Sequence, residues 1–401
     1  LSHPLALLRA VASLVLHGKA AMKRVLARTE RTDLSALPFN SATLSLINDR
    51  IAAGGTVYLA TGADQAVAES LLARVHSVTG IFASDGVVNL TSDAKARALV
   101  SEFGEIGFDY AGNSRADRAV WASSHDAYLA TLRRSGTPRW ARSLSFDRIL
   151  RDPAPTPARA WAKELRLHQS LKNLLLFLPL LAAHEIADPA RALSTIGGFV
   201  AFCLMASSVY LVNDLLDVSA DRAHARKRDR PIAAGWITPL HALSVAVVLA
   251  LGALILAFYL SPRFLAVLVA YAIMTTAYSV WLKRIVLVDV VVLALLYMVR
   301  IVAGAVVSDI TLSFWFTGVT LFLFLSLALV KRYAEAHQAR ANARSIPGRG
   351  YFGDDVHAIL ALGTSAGVAA VLLMATYIQS SAVSVLYPAP AVLWLVIPLL
   401  F

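Results

Sequence analysis

Cysteine and charged residues are scarce in this 401-residue chain, which has one cysteine, 16% charged residues and 57% hydrophobic residues. With a mean hydropathy of +0.62, this composition excludes an ordinary soluble protein. A lone cysteine also excludes a disulfide framework and a cysteine-based metal site. Cys203 lies inside an apolar run, and we expect it to be a buried thiol within the membrane.

The chain also lacks a basic stripe with interleaved aromatic residues, so we expect no nucleic-acid partner. Its net charge of +11 is concentrated near the ends of the apolar runs, which indicates phospholipid head groups and phosphate-bearing substrates as partners. The chain begins at Leu1 rather than at methionine and ends at Phe401 in an apolar run, so we expect further sequence at both ends.

Residues 1–130 alternate helix-like and strand-like stretches and predict a soluble α/β domain. The strand candidates are residues 56–60, 81–86 and 108–114. Residues 131–166 are rich in arginine and proline and predict a basic juxtamembrane connector, attracted to anionic lipid.

Residues 167–401 predict a multi-span, all-α membrane domain, because apolar runs of near-bilayer length follow one another from about residue 171. The eight predicted spans are 171–187, 194–213, 239–260, 263–281, 285–307, 311–331, 355–379 and 385–401. Lysine and arginine are concentrated in every second loop. By the positive-inside rule, these loops, the candidate site and the N-terminal domain lie on the cytoplasmic side of the cytoplasmic membrane.

Three aspartates, Asp214, Asp217 and Asp221, follow Asn213 at the end of a long apolar run. Their i, i+3 and i+7 spacing predicts that they share one stripe of a helix. Three neighbouring anions repel one another unless a cation lies between them, and Mg²⁺ shared with a diphosphate suits oxygen ligands. Basic residues that can hold phosphate oxygens follow: Arg222, Arg226, Lys227, Arg228 and Arg230. The alternative is a solvated cap of a membrane helix.

A second group combines Lys283, in a predicted loop, with Asp289 and Arg300 in the next span. Asp289 and Arg300 are eleven residues apart, close to three helical turns, so they project from the same face. Charges inside a span face a polar cavity or each other. One hypothesis is that Asp289 supports a metal or ribose site while Lys283 and Arg300 bind phosphate. The alternative is a structural Asp289–Arg300 arrangement without a ligand.

Two further polar groups lie at predicted span ends. They are His168, Gln169, Lys172 and Asn173 before the first span, and Lys331, Arg332, Tyr333 and Glu335 at the end of the sixth. Basic residues here either contact substrate phosphates or anchor the helices at the membrane interface.

The pattern Asn-Asp-x-x-Asp-x-x-x-Asp at 213–221 resembles the UbiA superfamily of intramembrane prenyltransferases, and several segments resemble its decaprenyl-phosphate phosphoribosyltransferase branch. These segments are Gln169–Asn173, Ser208–Tyr210, Asp221–Gly235, Tyr278–Asp289 and Lys331–Glu335. The resemblance covers about residues 165–401. It implies a ring of nine helices around a cavity, eight of them visible here. It also implies a Mg²⁺-diphosphate site at the cytoplasmic mouth and a side opening for a polyprenyl lipid.

The resemblance also assigns roles to individual residues. The expected metal ligands are Asp214, Asp217 and Asp221, and the other expected catalytic residues are Lys172, Lys283 and Asp289. The expected substrate-binding residues are Asn173, Tyr210, Asn213, Arg222, Lys227, Arg228, Arg230, Tyr278, Arg300, Lys331 and Arg332. Many superfamily members carry a second motif of paired acids, whereas this chain has only Asp289 there, which favours the phosphoribosyl branch.

Residues 1–125 resemble the haloacid dehalogenase superfamily. Thr61 ends a strand as the second motif requires, Lys95 falls at the third motif, and Asn113 and Asp117 fall in the fourth. The 401 residues contain no Asp-x-Asp nucleophile motif, and Asn113 stands where the fourth motif has its first acid. We therefore expect no aspartyl-phosphate chemistry from these residues.

The leading hypothesis is a Mg²⁺-dependent transfer of 5-phosphoribosyl from phosphoribosyl pyrophosphate to a polyprenyl phosphate, with release of diphosphate. One alternative is a prenyltransferase that moves a polyprenyl chain from its diphosphate to an aromatic or other small acceptor. A second is a non-catalytic lipid-phosphate carrier, and a third puts a phosphatase activity in the N-terminal domain. The sequence leaves the oligomeric state open, with a homo-oligomer as one alternative.

Overall fold

A computed structural model of the chain describes residues 13, 18–25, 27, 37–72, 78–133, 136–152, 154–341, 350–380, 383 and 392–395. The chain divides into two compact units. The N-terminal unit comprises Leu1–Trp161 and Val218–Ile237, and the membrane unit comprises Ala162–Asp217 and Thr238–Phe401.

The strands all belong to the N-terminal unit, and the helices are divided between the two units. The strands are β1 (Tyr58–Asp64), β2 (Gly80–Ser84), β3 (Tyr110–Gly112), β4 (Ala127–Thr131) and β5 (Arg148–Arg151). The helices are α1 (Ser41–Ala52), α2 (Gln65–Leu72), α3 (Asp93–Phe103), α4 (Arg118–Ala122), α5 (Pro157–Glu164), α6 (Leu178–Ala182), α7 (Pro189–Leu216), α8 (Val218–Ala223), α9 (Pro239–Leu260), α10 (Pro262–Val280), α11 (Val288–Val307), α12 (Phe314–Ala341) and α13 (Val356–Ile378).

The N-terminal unit is built from parallel strand pairs. β1 pairs with β2, and β3, β4 and β5 form a second sheet in that order. Parallel pairs need crossover connections, and here helices α2 and α4 follow β1 and β3. The three predicted strands correspond to β1, β2 and β3. The structure differs from the sequence prediction at two strands. β4 had no strand candidate, and β5 extends the second sheet into the segment 131–166 that was predicted to be a connector.

The membrane unit contains, among the described residues, six helices long and apolar enough to cross a membrane: α7, α9, α10, α11, α12 and α13. They correspond to the second to seventh predicted spans. The first predicted span, 171–187, is wrong as a continuous helix: a 3₁₀-helix (Leu167–Phe177) leads into the short α6. Pro179 in the first turn of α6 lacks a backbone donor, which favours a new helix start there. The eighth predicted span, 385–401, lies largely outside the described residues.

Three long helices of the membrane unit begin with the same sequence device. Asp188, Thr238 and Ser261 are N-cap residues whose side chains accept hydrogen bonds from backbone N–H groups of the first turn. A proline follows each cap, and it suits this position because its missing N–H would have no helical partner. These dipeptides therefore fix where α7, α9 and α10 start.

The 3₁₀-helix packs directly on α11. A Cβ atom built on Gly304 would meet the Leu176 carbonyl oxygen, so only glycine permits this approach of the two backbones. Side chains three residues apart align along a 3₁₀-helix, so Asn173 lies on the same side as Leu176. Arg300 lies one turn before Gly304 on α11. The packing of Gly304 on Leu176 therefore positions the Asn173 and Arg300 side chains next to each other.

Candidate active site

The last turns of α7 carry a row of polar side chains at helical spacing, and the segment before the 3₁₀-helix lies along this row. Ser207 donates a hydrogen bond to the Leu165 carbonyl at 3.2 Å. The Arg166 guanidinium lies 4.9 Å above the centre of the Tyr210 ring, and its Nη2 atom donates to both carboxylate oxygens of Asp214 at 2.6 and 2.8 Å. Asp214, with only 4% of its side chain exposed, is thus a buried anion with an arginine counter-ion.

The next two polar residues of this region face different surroundings. Asn213 donates from Nδ2 to the Ser279 hydroxyl of α10 at 3.0 Å. Asp217 is the C-cap residue of α7 and is exposed. Asp214 and Asp217 therefore stand one helical turn apart, the first enclosed and the second open.

The prediction that the three aspartates share one stripe of a single helix is wrong, because α7 ends at Leu216 and Asp221 lies on α8, in the N-terminal unit. Asp221 is buried beside a basic loop. Its carboxylate lies 2.6 Å from Arg230 Nη1 and 3.9 Å from Lys227 Nζ. Arg222 donates from Nε to the Ala233 carbonyl at 3.0 Å, whereas Arg228 is exposed. Of the basic residues predicted to hold phosphate oxygens, Arg230 therefore contacts Asp221, whereas Lys227 and Arg228 are exposed.

Arg300 is a buried cation near the middle of α11. It donates from Nε to Asn173 Oδ1 at 3.0 Å, from Nη2 to the Tyr271 hydroxyl at 3.2 Å, and from Nη1 to the Leu296 carbonyl. The Tyr271 ring centre lies 5.0 Å from the guanidinium carbon. No carboxylate lies within ion-pair distance of Arg300 among the described residues, although its side chain is nearly enclosed. This arrangement suits an anion from outside the chain.

Asn173 connects Arg300 to α7, since its Nδ2 donates to Cys203 Sγ at 3.3 Å. Cys203 was expected to be buried, and it is half-buried.

Asp289, at the start of α11, is completely enclosed in a different cluster. Its carboxylate accepts hydrogen bonds from Arg332 Nε at 2.5 Å and from the Tyr351 hydroxyl at 2.6 Å. The Asp289 and Arg332 side chains are both 0% exposed. Arg332 also donates to the Tyr278 hydroxyl at 3.2 Å and to Glu335. The alternative of a structural Asp289–Arg300 arrangement is therefore wrong: each has other partners.

The predicted lysines are less enclosed than the arginines. Lys172 and Lys331 are exposed, and Lys283 is half-buried in a short 3₁₀ turn (Leu282–Arg284). For Lys172 and Lys331, phosphate contact and interfacial anchoring both stay predictions, as does phosphate binding by Lys283.

Sequence reasoning missed three residues of these clusters. Arg166 was counted with the basic connector, residues 131–166, which contains several arginines. Tyr271 lies within an apolar span and carries no motif. Tyr351 follows the segment 342–349, which the structure does not describe, and its contact with Asp289 spans 62 residues of sequence.

The residues that carry the haloacid dehalogenase resemblance lie together in the N-terminal unit. Thr61, Lys95, Asn113 and Asp117 line one cavity of about 520 Å³ beside β1 and β3. Lys95 Nζ lies 3.0 Å from Asp117 Oδ1, and Asp117 also accepts a hydrogen bond from the Ser114 hydroxyl at 2.8 Å. This cavity is thus lined by hydroxyl, amide and charged groups.

Burial and hydrogen bonding act in opposite directions on Asp117. Burial raises the pKa of Asp117, but hydrogen bonds from Lys95 and Ser114 and the Lys95 charge outweigh it and lower the pKa below its ordinary value. The neighbouring Tyr110 hydroxyl is buried and donates to Asp117, and both effects raise the pKa of Tyr110. Folding of this unit therefore stabilises the ionised form of Asp117.

The residues at the end of α7 suit a hard metal ion. Asp214 and Asp217 offer carboxylate oxygens one turn apart, which is the donor chemistry that Mg²⁺ prefers. Both oxygens of Asp214 already hold a cation, the Arg166 guanidinium, so this position favours positive charge. A metal ion shared with a diphosphate is compatible with this donor set.

Comparisons with known proteins match the chain to one family profile and to several relatives. The profile of the UbiA prenyltransferase family matches residues 174–401. The chain is 36% identical to the y4nM protein of Sinorhizobium fredii over 94% of this chain and 73% of that protein. It is 40% identical to the decaprenyl-phosphate phosphoribosyltransferase of Mycolicibacterium smegmatis over 46% of this chain and 59% of that relative.

A solved structure of a UbiA homolog from Archaeoglobus fulgidus, bound to GPP and Mg²⁺, is 16% identical and has a TM-score of 0.49. The match covers 60% of this chain and 83% of that chain. Because the family profile matches more than half of the sequence, the chain belongs to the UbiA prenyltransferase family. It is an integral membrane protein and a UbiA-type transferase.

Proposed function

We propose that this chain transfers a 5-phosphoribosyl group from phosphoribosyl pyrophosphate to a polyprenyl phosphate and releases diphosphate. The observation that carries the proposal is Arg300, an enclosed cation whose contacts are with neutral groups. A buried charge without a counter-ion is costly, so an anionic group of the acceptor would stabilise it. Relatives named decaprenyl-phosphate phosphoribosyltransferases support the same pair of substrates.

In this proposal the donor diphosphate binds at Asp214 and Asp217, at the end of α7. These carboxylates would hold Mg²⁺, with Asn213 supporting them. Bound there, Mg²⁺ would stabilise negative charge on the leaving diphosphate. The two carboxylates would fix where the metal ion is held. Phosphate binding by Lys227 and Arg228, which are exposed, stays a prediction from the sequence.

In this proposal the acceptor phosphate binds next to Arg300, and Asn173 holds the Arg300 guanidinium in place. An oxygen of this phosphate attacks C1 of the ribosyl group as the bond from C1 to the diphosphate oxygen breaks, and the bonding electrons leave with the diphosphate. The attacking oxygen is already ionised near neutral pH, so the step needs no strong general base. Arg300 orients the acceptor for this attack.

For the N-terminal unit we propose a haloacid dehalogenase-like fold. Its parallel strand pairs and the cavity shared by Thr61, Lys95 and Asp117 support this. Because no Asp-x-Asp occurs in the 401 residues, these residues alone do not provide the phosphatase nucleophile. We further propose that this unit and the active site face the cytoplasm, since Lys283 and Arg284 lie in one of the basic loops.

The test is a product assay with the full chain in lipid nanodiscs. Ribose-labelled phosphoribosyl pyrophosphate, decaprenyl phosphate and Mg²⁺ should give a labelled lipid, and Asp217→Asn should not. Turnover only with a prenyl diphosphate and an aromatic acid would instead establish the alternative prenyltransferase. Lipid binding without any turnover would indicate a carrier and contradict the proposal.

A further inference from the structure

The Arg166 guanidinium lies on the side of Asp214 that a metal ion needs. A single nitrogen, Nη2, contacts both carboxylate oxygens, at 2.6 and 2.8 Å. Mg²⁺ binds carboxylate oxygens at about 2.0–2.1 Å and demands near-octahedral geometry. A guanidinium nitrogen and a metal ion therefore exclude each other on this side of the carboxylate.

Separate contacts hold the backbone and the side chain of Arg166: the backbone is hydrogen-bonded to Lys163 and Gln169, whereas the guanidinium contacts Asp214. It lies between α5 and the 3₁₀-helix with φ +52°, and the preceding Leu165 carbonyl accepts a hydrogen bond from Ser207. The Arg166 side chain is 20% exposed and rests on the Tyr210 ring. Rotation about its side-chain bonds can change the position of the guanidinium while the backbone stays in place.

A diphosphate offers this guanidinium a stronger partner than Asp214 does. Arginine binds phosphate oxygens with the same paired hydrogen bonds that it makes to a carboxylate. A diphosphate also carries more negative charge than one carboxylate. When a diphosphate binds beside Asp214, the guanidinium can therefore transfer to it and no longer opposes a metal ion at the Asp214 carboxylate.

We propose that Arg166 is an exchangeable counter-ion that couples metal binding to diphosphate binding. Without diphosphate it neutralises Asp214 and opposes the binding of a metal ion alone; with diphosphate it becomes a ligand of the phosphate oxygens. The inference rests on the proposed function only in placing the metal on Asp214. It holds for any diphosphate donor, whether phosphoribosyl or prenyl.

Coupling of this kind is reciprocal, because the metal and the diphosphate must raise each other's affinity by the same factor. The exchange therefore predicts opposite effects of Arg166→Gln on the two ligands. The metal ion alone should bind about tenfold more tightly, whereas diphosphate at saturating metal should bind about tenfold more weakly. A purely structural arginine would weaken both, and a simple phosphate ligand would leave the binding of the metal alone unchanged.

The experiment uses the full chain in nanodiscs with Mn²⁺ and inorganic pyrophosphate as probes. Mn²⁺ binding without pyrophosphate is followed by electron paramagnetic resonance, and binding of labelled pyrophosphate is measured at fixed free Mg²⁺. Arg191→Gln is the matched control, because Arg191 pairs with Asp188 at the opposite end of α7. It should change neither affinity. Arg166→Lys keeps the positive charge, so its affinities for Mn²⁺ alone and for pyrophosphate should both stay near those of the parent.

Opposite shifts in Arg166→Gln, with the Arg191→Gln affinities unchanged, would establish the exchange. Unchanged or weaker Mn²⁺ binding in a folded Arg166→Gln protein would overturn it, even if the parent binds pyrophosphate in a metal-dependent way and makes the labelled lipid. If the parent binds no Mn²⁺ with or without pyrophosphate, both the exchange and the metal placement on Asp214 are wrong. If Arg166→Gln does not fold, Arg166→Met, which also removes the charge and can keep the contact with the Tyr210 ring, is measured instead, and the same outcomes decide.

Discussion

Two buried aspartates of the membrane unit are each paired with an arginine, but the two pairs are enclosed to different degrees. Asp214 is held by Arg166, whose side chain is partly exposed, at the end of α7. Asp289 is held by Arg332 and Tyr351, and neither charged side chain of that pair is exposed. The same chemical pair thus occurs once in an open and once in a closed setting. The open pair suits ligand exchange, whereas the closed pair joins α11, α12 and the segment before α13.

The closed pair should give the largest effect on stability. Asp289→Ala leaves the Arg332 guanidinium buried without its main counter-ion, which costs about 3–5 kcal/mol of folding free energy. We expect a strongly lowered thermal unfolding temperature in nanodiscs, followed by loss of activity through loss of folded protein. A folded Asp289→Ala protein with normal stability would contradict the structural role of this pair.

Asp217, at the exposed end of α7, should show the reverse pattern: a large effect on turnover and none on stability. Asp217 is exposed at the C-cap, so Asp217→Asn should leave the thermal unfolding temperature unchanged. Turnover should fall by about 10²–10³-fold, the typical cost of removing one group that stabilises charge in the transition state. Measured together, stability and kcat separate this residue from Asp289. Near-normal turnover would remove Asp217 from the metal site.

The Tyr351→Phe variant should destabilise the closed pair less than Asp289→Ala does. Tyr351→Phe removes the hydroxyl that donates to Asp289 and accepts from the Leu287 N–H, which leaves polar atoms without that partner. The expected cost is about 1–3 kcal/mol in unfolding free energy. KM for both substrates should stay unchanged in the protein that remains folded. A change in KM without a change in stability would show that Tyr351 acts in the active site.

The Lys95–Asp117 pair of the N-terminal unit offers a third comparison and the smallest expected effect. The pKa of Asp117 is lowered in the folded state, so its contribution to stability is present above the ordinary value near 3.8 and is lost as pH falls below it. Urea unfolding followed by tryptophan fluorescence should show this loss in the parent. Asp117→Asn should flatten the pH dependence, and an equally steep dependence in that variant would contradict the assignment.

The spans were predictable because each depends on local sequence. Apolar runs of bilayer length and the capping dipeptides at Asp188, Thr238 and Ser261 specify where helices lie without reference to the rest of the chain. The first predicted span failed for a local reason too, since Pro179 interrupts it. Strand β5 was missed because its four residues, Arg148–Arg151, show no clear alternation of polar and apolar side chains.

Except for Arg166, the charged residues of the candidate site were named from the sequence, but their partners were not. Arg300 meets Asn173 across 127 residues of sequence, and Asp289 meets Arg332 across 43. Such pairs are set by how helices pack, as in the approach of Gly304 to Leu176, and a periodic pattern in one helix says nothing about its neighbour. The sequence therefore identified the acids and bases as candidates and paired Asp289 with Arg300 only as an alternative, which the packing contradicts.

The central claim is that the two substrates bind through different groups, the donor at the aspartates of α7 and the acceptor phosphate at Arg300. The most direct measurement is the KM of each substrate in Arg300→Gln, which can keep the contact to Asn173 but loses the charge. The account predicts a KM for decaprenyl phosphate raised about tenfold or more, with the KM for phosphoribosyl pyrophosphate unchanged. A raised KM for the donor alone, or equal changes in both, would contradict it.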